Sequence, residues 1–178
     1  MRPIAAVVRE EDPADFAATD AVNRLAFGRP DEATLVSRLR AEGDVILSLV
    51  ACAGDEVVGH ILFSRLDLAP DLESASAVAL APMAVLPEWQ RRGIGSALVR
   101  EGIRSSAARA VGAIVVLGDP AFYTRFGFSA LTAASLDAPF SGVAFMALEL
   151  APAVLAGPRR RVRYPPAFGL PDRFSRSG

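Results

Sequence analysis

The chain contains no lysine: its 19 basic residues are all arginine. That absence removes any Walker A phosphate loop, whose Gly-Lys pair binds nucleotide phosphates, and it leaves no lysine side chain to modify. The arginine bias is that of a GC-rich bacterial coding sequence. Cys52 is the only cysteine, so no internal disulfide can form and a reducing cytoplasm is the expected setting. No apolar run is long enough to span a membrane. The opening MRPIAAVV is too short an apolar run before Arg9 and Glu10 for a secretory leader. Excess charge is lacking too: the formal net charge is −1, which leaves no electrostatic footprint for nucleic acid or an anionic membrane.

What remains is an ordinary globular composition of 178 residues, 52% hydrophobic and 22% charged, enough for a buried core in one domain. Strands and helices alternate along it. Ile4 to Val8 is short and β-branched and predicts a first strand. Asp12, Pro13 and Asp15 then form a helix start, with a cap, a first-turn proline and a favourably placed charge. Ala18, Ala21, Val22 and Leu25 give that helix an apolar stripe. Asp31 to Arg40 predicts a second helix, ended by Gly43. Two apolar runs around Gly54-Asp55 predict an antiparallel hairpin, with Val57, Ile61 and Phe63 on one face of its second arm and His60, Leu62 and Ser64 on the other. LDLAPDLESAS reads as a surface loop.

AVALAPMAV is apolar throughout, as a strand covered on both faces should be. A glycine-bearing turn follows it, then a helix with Val99, Ile103, Ala107 and Ala110 on one face, stopped by Gly112, and then the apolar strand AIVVLGD. Strand, helix and strand make a parallel crossover unit. Beyond it AFYTRFGF predicts a short helix with Gly127 in a left-handed terminal position and Phe128 folding back. Val143 to Leu150 and Arg159 to Tyr164 are closing strands, and residues 165–178 an irregular tail after a domain of residues 1–164. The expected class is α/β (α+β), one mixed sheet with helices on both faces.

The glycine turn reads Gln90-Arg91-Arg92-Gly93-Ile94-Gly95-Ser96. A helix beginning after a strand presents unpaired N–H groups and a positive dipole end, glycines let an anion come close, and the two arginines add charge. On spacing alone, a tight turn with solvated arginines remains equally open. The Rossmann pattern does not fit, because Leu98 stands where a third Gly or an Ala is required and LPEWQRR separates strand from glycine.

The segment MAVLPEWQRRGIGSALV resembles the acyl-CoA loop of the GNAT superfamily of N-acyltransferases, in which Gln or Arg, two residues, Gly, one residue and Gly or Ala follow a strand. The likeness extends from about Val78 to Phe128 and includes FYTRFGF, similar to that superfamily's Tyr-three residues-Gly-Phe segment. A bacterial subgroup sharing GDP.(F/Y)Y.RFGF and a late RYPPAF-like segment resembles the chain as well.

The resemblance implies that the central crossover splays, that amides of Arg91 to Ser96 hold the CoA pyrophosphate, and that Met83, Ala84 and Val85 offer a free edge to pantetheine. It implies an oxyanion donor in the Val85 N–H and a general acid in Tyr123. Acetyl-CoA becomes the co-substrate, and a small-molecule or peptide amine the acceptor. A homodimer is an expectation added by the superfamily's habit of dimerising. An alkyl amine with a pKa of about 10 must lose a proton. Glu73, Glu88, Asp119 and His60 are the candidate bases, with water as the other carrier. His60, alternating with apolar neighbours, reads rather as a hydrogen-bonded core histidine, and Cys52 as a small core residue. GDPAFY is shorter here than the corresponding superfamily segment, with Asp119-Pro120 where that segment often has an Asn, which weakens the carry-over of its CoA contacts. A CoA-binding module without catalysis and an unrelated α/β scaffold remain as alternatives.

Overall fold

The computed structural model describes residues 6–72 and 75–176. The chain forms two compact units, Met1–Phe63 with Ala81–Arg104 and Ser64–Leu80 with Ser105–Gly178. Among the described residues eight strands hydrogen-bond in the order β1-β2-β3-β4-β5-β7, with β8 paired to β3 and to β6. In chain order these are β1 (Val7–Glu10), β2 (Val45–Ala53), β3 (Glu56–Ala69), β4 (Ser76–Val85), β5 (Val111–Leu117), β6 (Leu136–Asp137), β7 (Phe145–Glu149) and β8 (Arg160–Arg163). Four helices accompany them, α1 (Phe16–Phe27), α2 (Asp31–Ala41), α3 (Ile94–Ala108) and α4 (Pro120–Tyr123). The mixed sheet matches the expected class.

In the first unit the helix start is as the sequence predicts: Asp12 accepts from Ala14 N at 2.9 Å, and the Asp15 carboxylate accepts from Asp12 N at 2.8 Å. β1 lies later than expected, at Val7–Glu10, and Ile4 and Ala5 fall outside the described residues. The hairpin turns at Gly54, whose φ of 62° suits glycine. Its second arm, β3, is buried on both faces from Val57 through Ser64. One face meets α3: a Cβ on Gly59 would lie 3.1 Å from Ile94 and Leu98, and one on Gly102 would lie 2.3 Å from the Phe63 ring. The other face meets α1 through His60 and Asn23. β3 also continues to Ala69, so Leu66–Ala69 is strand where the sequence suggested loop. Leu66 and Leu68 are buried there, which the loop composition of LAPDLES masked.

The buried face of α1 differs from the expected stripe. Thr19, Val22 and Asn23 point inward, whereas Ala21 is exposed and Leu25 is 62% exposed. A polar network draws the helix round. Asn23 Nδ2 donates to Thr19 O at 2.8 Å and to His60 Nδ1 at 3.0 Å, so Nδ1 accepts and the ring proton sits on Nε2, facing Ser48 Oγ at 2.9 Å. The Arg40 guanidinium pairs with the buried Glu11 carboxylate and donates to Thr19 Oγ1 at 3.0 Å, with Glu11 3.8 Å from His60 Nε2. One buried network thus ties Glu11, just after β1, to α1, α2, β2 and β3.

In the second unit β4 and β5 run parallel from Ser76 opposite Val111 to Leu80 opposite Val116, where their register ends. Pro82, two residues on, has no N–H to donate. β5 pairs antiparallel with β7, Ala113 opposite Glu149. The core is formed by the alanine-rich sheet face, Ala77, Ala79, Ala113 and Ala147, against Phe145, Leu155 and Tyr164. Gly112 lies within β5 rather than stopping α3; a Cβ there would be 2.6 Å from the Ala75 Cβ, so close packing needs the glycine. Ala110, with φ 57°, makes the turn instead. On α3 the buried residues are Ile94, Leu98, Val99 and Gly102 in the first unit and Ser105 and Ser106 in the second, while Ala107 is exposed. Residues 165–176 carry two 3-10 turns, and Tyr164 N donates to Phe174 O at 2.8 Å.

Burial above all, with the nearby Arg40 charge, pushes His60 down from 6.5 to about 3. Unfolded His60 therefore binds a proton that the folded ring refuses. Its contribution to stability is complete above pH 6.5 and is lost as pH falls toward about 3. Chemical denaturation between pH 4 and 6 should show the wild type losing up to about 1.4 kcal/mol per pH unit more than His60→Gln; parallel slopes would disprove the assignment.

Candidate functional site

The glycine segment lies wholly in the first unit, on the turn between β4 and α3. Leu86 N donates to Val58 O at 2.9 Å and fastens the end of β4 to β3. Because successive residues of a strand direct their backbone groups to opposite sides, Met83 and Val85 turn theirs away from β3. Ala84 is buried, and Met83 and Val85 are half-buried. Pro87–Trp89 makes one 3-10 turn. Gln90 then reaches back, its Nε2 donating to Val85 O at 3.0 Å, which braces the turn against the strand it leaves.

Two residues of the turn hold left-handed backbone. Gly93 has φ 82° and Arg91 φ 60°. For a non-glycine residue this costs about 1–2 kcal/mol, a strain of the sort that gathers at binding sites. A Cβ on Gly93 would meet no atom within 4 Å, so this glycine is required by its dihedral angle and not by a crowded neighbour, and the space beside it is open. α3 begins at Ile94 with Ala97 N bonded to Gly93 O at 3.0 Å. The amides of Ile94, Gly95 and Ser96 precede that first helical bond and have no acceptor within the helix. They lie at the positive end of a helix of 15 residues. The Arg92 guanidinium carbon lies 4.9 Å from the Trp89 ring centroid, which orients it, and Arg91 and Arg92 are exposed.

Tyr123 belongs to the second unit, at the end of α4. Asp119 caps that helix, accepting from Ala121 N at 2.9 Å. It is exposed, and the cap engages one of its carboxylate oxygens. Tyr123 is 7% exposed, edge-on to Phe122 and Phe128 at 4.9 and 5.6 Å. A Cβ on Gly118 would lie 2.4 Å from its ring, so that glycine makes room for it. Gly127, at φ 93°, ends the following turn as expected. Burial pushes the Tyr123 phenol up to about 12, so it is protonated at neutral pH.

Of the other candidate bases, His60 is buried and held at both ring nitrogens. Glu88 is exposed on the 3-10 turn, and Glu73 lies outside the described residues. Cys52 is a buried free thiol, as expected. Tyr164 is a packing residue, edge-on to Phe140 and tilted against Phe168. The sequence reading missed the partners of His60, because Asn23 and Ser48 lie 37 and 12 residues away from it.

Gly93→Glu should weaken acetyl-CoA binding in a calorimetric titration by at least about tenfold, about 1.4 kcal/mol. Gly93→Ala, which shares the backbone strain without the carboxylate, should lose about 1–2 kcal/mol of stability and bind more tightly than the glutamate variant. Equal affinity of Gly93→Glu and wild type would refute an anion site at this turn.

Comparison with known proteins gives this geometry a family. A model described as an acetyltransferase (GNAT) domain matches residues 45–130, a span that includes the glycine turn and Tyr123. The N-acetyltransferase YhbS of Escherichia coli K12 is 36% identical over 161 residues, covering 89% of this chain and 95% of YhbS. A structure of YhbS from Escherichia coli in complex with CoA superposes with a TM-score of 0.86 at 35% identity, over 96% of this chain and 95% of that one. A GNAT family acetyltransferase from Brucella melitensis in complex with acetyl-CoA gives 0.77 at 32% identity, over 93% and 99%. These relatives set aside the unrelated-scaffold reading and give no support to a module without catalysis. The chain is a member of the GNAT superfamily of acetyl-CoA-dependent N-acetyltransferases.

Proposed function

We propose that the protein transfers an acetyl group from acetyl-CoA to a primary amine by direct attack in a ternary complex, within a catalytic domain of residues 1–164. The carrying observation is the open space beside Gly93, at φ 82°, next to the first amides of α3. Backbone N–H groups from Arg91 to Ser96 hold a diphosphate without any side chain that could block it. Arg91 and Arg92 add charge beside them, and Gln90 keeps the turn in register with Val85. Met83, Ala84 and Val85 supply the edge along which the pantetheine arm extends.

Acetyl-CoA supplies the acyl group and a thiolate leaving group. The Val85 N–H donates to the oxygen on which negative charge develops as the amine attacks, so it favours the transition state over the bound ester. Tyr123 donates a hydrogen bond to the departing sulfur. With its phenol near 12 and a thiol near 8.5, complete transfer from tyrosine alone is uphill. The proton finally gained by sulfur is balanced by the one the amine nitrogen loses. Water carries the latter, with His60 held at both ring nitrogens by Asn23 and Ser48.

A thiol-release assay with acetyl-CoA against a panel of primary amines should show saturable, amine-dependent release; release no faster than hydrolysis with every amine would refute the activity. Tyr123→Phe should lower kcat by about 100-fold or more, with acetyl-CoA affinity changed less than about twofold. An unchanged kcat would remove Tyr123 from the chemistry.

A further inference from the structure

The second unit holds a pocket of about 220 Å³ that no part of the transfer chemistry uses. Ala133, Leu136 and Phe145 are buried at its floor, the half-buried Phe140 forms a wall, and Ser141 and Arg159 stand exposed at its mouth. Both rims are hydrogen-bonded turns. Ser129 Oγ accepts from Leu131 N at 3.0 Å and from Thr132 N at 3.2 Å, and Phe145 N donates to Gly142 O at 3.2 Å. Leu131 and Val143, on those two turns, are 85% and 73% exposed, so apolar surface continues outward on both sides of the mouth.

The charge around the pocket selects the sign of its ligand. Arg159 is the one charged residue of the lining, and it has neither an ion pair nor a hydrogen bond among the described residues. The next residue, Arg160, is 7% exposed and lies on β8 directly opposite the lining residue Leu136. Its Nη1 donates to Leu155 O, Ala156 O and Pro158 O at 3.2, 3.2 and 3.3 Å, which fixes the loop that delivers Arg159. Its Nε has no partner, and no carboxylate among the described residues pairs with it. A buried guanidinium without a counter-ion is costly to a fold. Two arginines thus set positive potential beside a pocket whose body is apolar, and an anion with an apolar body answers both. Volume sets its size. At about 30 Å³ for each water-sized group, the pocket holds about seven non-hydrogen atoms, those of a branched monocarboxylate such as 3-methylbutanoate.

We propose that this pocket binds a small branched-chain carboxylate, its charged end paired with Arg159 in the field of Arg160 and its alkyl body seated on Ala133, Leu136 and Phe145. Such a ligand has no amine to acetylate, so the site stands apart from acetyl transfer and does not depend on it. Methyl proton–carbon correlation spectra of the full chain, recorded while adding 3-methylbutanoate, 3-methylbutanamide or acetate, test it. The branched carboxylate should move the Ala133 and Leu136 signals saturably. It should bind at least about tenfold more tightly than the amide, which lacks the charge, and than acetate, which lacks the apolar body. Arg159→Glu, and separately Ala134→Phe to fill the mouth from an exposed position of the lining, should each weaken binding about tenfold or more. Melting temperatures within about 2 °C of wild type report an intact fold.

Ala133 and Leu136 signals that stay still, an amide or acetate that binds as tightly, or an affinity indifferent to Arg159→Glu would each overturn the proposal. So would a dimer that Leu131→Asp dissociates with no carboxylate binding in either form, since the mouth would then belong to a second copy.

Discussion

A helix must leave its first amides without partners inside itself, and in this protein those of α3 begin in the open. That constraint organises the turn before it. β4 is fastened to β3 by Leu86 N on Val58 O, Gln90 clamps the turn back to Val85 O, and left-handed backbone at Arg91 and Gly93 brings the chain onto the helix axis. The two hydrogen bonds stabilise the turn, while the left-handed backbone at Arg91 costs stability for orientation. Arg91 holds a conformation that costs about 1–2 kcal/mol for a residue with a Cβ, and the first amides of α3, beside the open space at Gly93, have no acceptor within the helix. A fold shaped for stability alone would have a glycine or asparagine at position 91.

A second constraint acts on the opposite side of β3. Burying His60 requires that both ring nitrogens be satisfied, and Asn23 and Ser48 do so. Because Asn23 must face inward, α1 is rotated away from its apolar stripe. The helix that would have covered itself against the sheet instead leaves Leu25 outward. A polar requirement in the core thereby decides the chemistry of a surface. Arg40 and Glu11 extend the same network to α2 and to the residue that follows β1, so the early helices are held by directional bonds as well as by apolar contact.

The sequence was most legible where backbone chemistry dictates residue type. The Asp12–Pro13–Asp15 helix start, the hairpin at Gly54, the crossover around the glycine turn and the left-handed Gly127 all require particular residues at particular places, and they stand where expected. The acyl-CoA resemblance rested on the same kind of residue. Periodicity misled where side chains had long-range partners: α1 was given an apolar inward face because Asn23 and His60 lie 37 residues apart and no spacing rule joins them. Gly112 looked like a helix stop but is a packing glycine against Ala75, and Leu66–Ala69 looked like loop because prolines and acids follow it closely.

The central claim is that main-chain amides at the start of α3 hold a diphosphate. Amide proton–nitrogen correlation spectra recorded while adding CoA, ADP and pantetheine in turn test it most directly. The account predicts that the signals of Ile94, Gly95 and Ser96 move with CoA and with ADP, both of which carry the diphosphate, and stay in place with pantetheine, which lacks it. CoA that binds and shifts other signals while these three remain still would contradict it.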